Sequence, residues 1–173
     1  MKNEFTFYNI FGDKMLVNHE LKPIYDKNSQ ILILGSMPSV KSREEKFYYA
    51  NKNNRFWEIF EILFNVQFKN NYHKQQFLLE NHIALWDVFK TCEINGSSDA
   101  SIKNYELNDI DMIINASNIQ VIFCTGKTAY QSLLKNYKTI LPIFYLPSTS
   151  SANAAYKLGD LIREYQIIKK YLY

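Results

Sequence analysis

The stretch Ile31-Leu32-Ile33-Leu34-Gly35-Ser36-Met37-Pro38-Ser39 decides how this chain folds. Four apolar residues run uninterrupted into glycine, serine and proline. That pattern predicts a strand buried on both faces, as in a parallel sheet, closed by a tight turn. In open α/β sheets ligands sit beyond the carboxyl ends of the strands. The turn therefore places Ser36 and its neighbouring backbone N–H groups at the floor of a pocket.

Three further segments repeat the theme. Residues 83–88, Ile-Ala-Leu-Trp-Asp-Val, read as a second strand with Asp87 near its end. Residues 119–124 form a third, which breaks at Thr125-Gly126-Lys127 into a helix reaching about Lys135. Residues 141–146 form a fourth, ending at Pro147-Ser148-Thr149-Ser150-Ser151. Phe56, Phe60, Leu63 and Phe64 recur at helical spacing, with Glu58 and Glu61 turned outward. A polar helix is expected over 71–80, a short one opening at Asn108 or Asp109, and a last one carrying Leu158, Leu161, Ile162, Tyr165, Ile168 and Leu172.

Strand–helix alternation predicts an α/β fold, a three-layer α/β/α sandwich around a four-stranded, mainly parallel sheet. Residues 1–30 are expected to be a lead-in with a short helix, and 36–53 and 91–107 to be long loops. No repeat or linker divides the 173 residues, so one domain is expected.

Composition narrows the function. Hydrophobic residues make up 47 % and aromatics 16 %, enough for a large core. No apolar run approaches the ~20 residues that span a bilayer. The opening Met1–Phe5 has no signal-like apolar segment, so a cytoplasmic protein is expected. Two cysteines and three histidines lack disulfide or metal spacing, and no cofactor or metal is expected. No Ser/His/Asp or Cys/His arrangement suggests a covalent nucleophile. Net charge is only +3, but no acidic residue falls between Asp111 and Asp160, where Lys127, Lys135, Lys138 and Lys157 lie. Such local fields attract polyanions, although solvated lysines give the same pattern.

The motifs resemble the uracil-DNA glycosylase superfamily. Gly35-Ser36-Met37-Pro38-Ser39 stands at its first motif and Pro147-Ser148-Thr149-Ser150-Ser151 at its second. Tyr49-Ala50 and Asn54-Arg55-Phe56-Trp57 are similar to the mismatch-specific uracil/thymine branch. Together with the Trp86-Asp87 strand end, they are more similar still to the hypoxanthine-DNA glycosylase family, over about residues 18–155.

The resemblance implies a monofunctional enzyme on DNA that contains deaminated bases (hypoxanthine, with uracil or xanthine as further candidates); a monomer is expected. The base is flipped out and its N-glycosidic bond hydrolysed. Most of the superfamily positions the water with an Asp or Asn at the place of Met37, which cannot do so. By resemblance that task passes to Asn54; on the residues alone Asn54 is equally a helix cap. Tyr49 matches the aromatic that stacks on the flipped base, or is a buried loop aromatic. Gly35, Ser36, Met37 and Pro38 form the base pocket, with Ser36 alternatively a turn residue. Asp87 reads a base edge or polarises water, or else makes a cap or salt bridge. Ser148, Thr149 and Ser150 resemble a DNA-gripping loop, and Lys127 is a candidate phosphate contact. Ser97 and Asp99 match the family without an assignable role. Ser151 replaces the family's usual proline, and no large apolar wedge is present. A non-catalytic module that binds damaged or single-stranded DNA is the alternative, and an unrelated α/β enzyme on a nucleoside or phosphorylated ligand a third reading.

Overall fold

The computed structural model describes residues 15–172. The expected central sheet is present. β2 (Ile31–Gly35), β3 (Ile83–Asp87), β6 (Val121–Thr125) and β7 (Ile143–Leu146) lie in the order β3-β2-β6-β7, all parallel. Every residue of β2, β3 and β6 is buried, which is why these strands read as unbroken apolar runs rather than alternating ones.

The helices are α1 (Val40–Glu45), α2 (Phe56–Phe64), α3 (Asn71–Glu80), α4 (Ile110–Ala116), α5 (Lys127–Asn136) and α6 (Leu158–Tyr165), the last continued by a 3-10 segment at Gln166–Tyr171. The chain steps from β2 to β3 in one direction and from β6 to β7 in the other. With right-handed crossovers, these opposite steps put α2 and α3 on one face and α5 on the other. α6 returns to pack on α2. The reversal lies between β2 and β6, so the crevice beyond their carboxyl ends is the expected ligand site.

Two expectations, the loops over 91–107 and 36–53, are corrected, and the lead-in is described only in part. Residues 91–107 are not a loop: β4 (Phe89–Ile94) and β5 (Lys103–Leu107) join β1 (Met15–Asn18) in an antiparallel sheet ordered β1-β4-β5. One side of that sheet faces water, so Lys90, Lys103, Asn104 and Glu106 are polar, and register shifts in β4 blur the alternation. The lead-in supplies β1 and a bridge from Ile24 to Leu85; residues 15–30 contain no helix, and the remainder of that segment lies outside the described residues. The segment 36–53 contains α1, capped by Ser39, whose hydroxyl accepts the Ser42 N–H at 3.2 Å. α1 buries only Ser42, so it left no apolar period to read.

The α2 face of the core is aromatic. Phe56 and Phe60 are fully buried with ring centroids 4.7 Å apart, and Phe64 stacks on Phe60 at 5.8 Å. Phe60→Ala is expected to cost about 3–5 kcal/mol in urea unfolding, since the cavity cannot collapse around stacked rings. A loss below about 1 kcal/mol would contradict this packing.

Candidate active site

The carboxyl ends of β2, β3, β6 and β7 open into a cleft of about 360 Å³. It is lined by the Gly35–Ser39 turn, Tyr49, Asn54, Asp87, Asp99, Thr125 and the Ser148–Asn153 loop. The sequence candidates Gly35, Ser36, Met37, Pro38, Tyr49, Asn54, Asp87, Ser148, Thr149 and Ser150 thus meet in one cavity. Lys127 does not line it; it is exposed at the first turn of α5.

Each residue of Asn54-Arg55-Phe56-Trp57 makes a distinct contact. The Asn54 Oδ1 accepts the Phe56 N–H at 2.9 Å and the Thr149 hydroxyl at 2.8 Å. A backbone N–H can only donate, so these contacts fix the amide's orientation. Both lone-pair directions of the oxygen are filled, while Nδ2 has no hydrogen bond among the described residues. The N-cap position of α2 is Arg55, so Asn54 stands one residue ahead of it; from there its oxygen holds the first N–H of the helix and its Nδ2 is left as a donor.

Arg55 grips the loop after β7. Its Nε donates to the Thr149 carbonyl at 3.3 Å, Nη2 to those of Ser150 at 2.6 Å and Asn153 at 3.1 Å, and Nη1 to that of Tyr156. Its backbone N–H also reaches the Thr149 carbonyl, at 3.0 Å. Phe56 stacks flat under Tyr49, at 3.8 Å and 6°. Trp57 Nε1 donates to the Tyr48 carbonyl at 2.9 Å.

Those last two contacts hold Tyr49 in the left-handed region at φ 52°, a strained conformation for an aromatic. Its hydroxyl lies 3.1 Å from Thr125 Oγ1, and burial pushes its phenol far above the usual range, so it stays neutral. One ring face is covered by Phe56, and the half-buried ring lines the cleft.

The floor is set by register. Gly35 pairs with Asp87, and a Cβ on Gly35 would come 2.4 Å from Asp87 Oδ1 and 3.0 Å from the Tyr49 hydroxyl. Only glycine admits that carboxylate. Asp87 is 4 % exposed, and its Oδ2 lies 2.7 Å from His19 Nε2, itself buried. The partner that the salt-bridge reading of Asp87 calls for is therefore His19, in contact with it inside the cleft itself. Met37 is buried and offers the cleft only an apolar surface.

Asp99, which the sequence left without a role, begins the 3-10 turn between β4 and β5. The Ser36 hydroxyl donates to its Oδ2 at 2.5 Å. Burial raises its carboxyl from 3.8 to about 6; the Ser36 hydrogen bond opposes that rise and the Asp87 charge adds to it. His19 and Thr125 were also missed, since nothing in sequence links His19 to Asp87 across 68 positions.

In the loop, Thr149 is 2 % exposed and spends its hydroxyl on Asn54. The Ser148 and Ser150 oxygens accept the N–H groups of Ser150 and Ala152, at 3.3 and 3.2 Å, leaving their hydroxyl protons available to a phosphate. Among the described residues no cluster of three His, Cys, Asp or Glu could hold a metal, and no helix is long and apolar enough to cross a membrane.

A switch-point cleft with a stacked aromatic, an oriented amide, one buried and one half-buried carboxylate and a hydroxyl-rich loop has the form of an α/β enzyme's active site. The sequence profile of the uracil DNA glycosylase superfamily matches residues 22–170, and the chain belongs to that superfamily. The chain is 33 % identical over 138 residues to a protein called hypoxanthine DNA glycosylase from Methanosarcina barkeri, covering 76 % of this chain and 85 % of that one. It is 35 % identical over 145 residues to one of the same name from Methanosarcina acetivorans, covering 80 % and 89 %. A solution NMR structure of a Methanosarcina acetivorans protein described as a candidate uracil DNA glycosylase superposes with a TM-score of 0.73 at 29 % identity, covering 90 % of this chain and 99 % of that one. The enzyme class is DNA glycosylase.

Two expectations follow from this geometry. Arg55→Lys removes most of the carbonyl grip, and amide exchange at Ser150 and Asn153 should accelerate tenfold or more, about 1.4 kcal/mol; unchanged exchange would show that the loop stands without it. The folded state binds the Asp99 proton more tightly than the unfolded state, so stability falls as pH rises from 3.8 to about 6. Asp99→Asn should therefore raise the melting temperature at pH 7 more than at pH 4; an equal change at both would contradict the raised carboxyl.

Proposed function

We propose that this chain excises deaminated bases from DNA, hypoxanthine first, with uracil and xanthine as further substrates. The observation that carries the reading is that Tyr49 and the Asp87 carboxylate line the same cleft. Deamination turns a ring nitrogen acceptor into an N–H and the neighbouring amine into a carbonyl. The Asp87 carboxylate, fixed by His19 at 2.7 Å, accepts that N–H and repels the bare nitrogen of adenine or cytosine. Tyr49, backed by Phe56, supplies the flat surface for the flipped base, worth about 1–3 kcal/mol. The names of both Methanosarcina relatives support hypoxanthine as the principal base.

The reaction needs a water at the anomeric carbon and a way for charge to leave with the base. Met37 supplies neither. The Asn54 Nδ2 donates to the water oxygen, and the water's remaining lone pair meets the oxocarbenium-like sugar. Ser148 and Ser150 hold the phosphates beside the flipped nucleotide. The described large apolar residues at the surface, such as Leu16, Ile62 and Leu134, lie on separate elements, which supports action as a monomer.

The test is release of abasic sites, read by alkaline strand cleavage, from duplexes carrying deoxyinosine, deoxyuridine or deoxyxanthosine. The wild-type chain should cut at deoxyinosine fastest and at undamaged adenine not at all. Asn54→Ala should lose about 10²–10³-fold in rate while losing only about 1 kcal/mol of cap stability. No cleavage at any deaminated base, with salt-sensitive DNA binding retained, would establish the non-catalytic reading instead.

A further inference from the structure

The cleft holds two carboxylates in unlike surroundings. Asp87 is braced by His19 on one oxygen and pressed against Gly35 with the other. Asp99 makes no ion pair among the described residues; its contact is the Ser36 hydroxyl on Oδ2 at 2.5 Å, and its Oδ1 has no hydrogen bond among them. The charged and titratable groups acting around it are Asp87 from β3, Tyr49 from the segment after α1, and Cys92 from β4, with Arg43 of α1 acting on that same thiol. A base leaving as an anion beside Asp87 meets like charge at close range. A purine lactam in this cleft needs a proton more than another acceptor.

We infer that Asp99 is the proton donor to the departing base, with Ser36 holding Oδ2 so that Oδ1 carries the proton toward the cleft. This rests on the glycosylase reading above. As the C1′–N bond breaks, its electron pair passes into the base. Asp99 delivers its proton to a ring nitrogen or exocyclic oxygen, and the base leaves neutral. The water oxygen bonds to C1′, and the proton it loses restores the Asp99 carboxyl directly or through solvent. The reaction is then a balanced hydrolysis with no other reactant. A carboxyl raised to about 6 by burial is still partly protonated near neutral pH, which an ordinary aspartate is not.

The test is the pH profile of single-turnover excision at saturating protein on a deoxyinosine duplex. The wild-type rate should fall about tenfold per pH unit above the Asp99 titration. Asp99→Asn, which keeps the shape and can still accept from Ser36, should be slower by about 10²-fold at pH 5.5 and lose that decline. Ser36→Ala removes the hydrogen bond that lowers the Asp99 titration, so its decline should move to higher pH. A merely structural Asp99 would change rates without moving the profile. Asp99→Asn with the wild-type decline, or Ser36→Ala with its decline unmoved, overturns the inference while the glycosylase reading stands. A wild-type chain that releases no deaminated base overturns both.

Discussion

The site depends on the commitment of the Arg55 guanidinium to main-chain carbonyls. It contacts Thr149, Ser150, Asn153 and Tyr156, and makes no ion pair among the described residues. A half-buried cation satisfied by fixed carbonyl dipoles gains charge-assisted hydrogen bonds, each worth about 1.5–3 kcal/mol net. The fork is rigid, so it fixes the shape of the loop as well as its position. The loop in turn brings Thr149 to Asn54, and α2, which starts beside Arg55, carries the Phe56 ring that supports Tyr49. One side chain thus couples the serine-rich loop, the oriented amide and the stacked Tyr49–Phe56 pair.

Polarity inside the cleft is divided rather than pooled. The first turn contributes an apolar Met37 and a serine whose hydroxyl is engaged by Asp99. Asn54 has spent its acceptor, so it can donate but not accept. Asp87 is held by His19 on one oxygen, whereas burial raises the Asp99 carboxyl above the usual carboxylate range. Unlike environments for two nearby carboxylates set their chemistry apart.

Legibility in the sequence followed burial. β2, β3 and β6 are buried along their whole length and were read as apolar runs, with ends displaced by a residue or two in β6 and β7. α2 showed through its aromatic period. The β1-β4-β5 sheet did not, because its alternation is half solvent and broken by register shifts. The same hidden hairpin delivers Asp99, which is why that residue matched the family without a visible task. His19 was opaque for another reason: its meaning lies in a contact across the fold with Asp87, and no local pattern encodes it. Asn54 carries two readings, cap and catalyst, because its oxygen holds the first N–H of α2 while its Nδ2 has no hydrogen bond among the described residues.

The measurement closest to the central claim is the single-turnover excision rate of deoxyinosine by Thr149→Val, set beside its unfolding free energy. The variant keeps the side-chain shape and deletes the hydroxyl that fixes Asn54. If the carbonyl-gripped loop orients the amide for catalysis, the rate drops at least tenfold while the unfolding free energy falls by no more than about 1.5 kcal/mol, the net worth of one hydrogen bond. A rate within twofold of wild type would contradict the account.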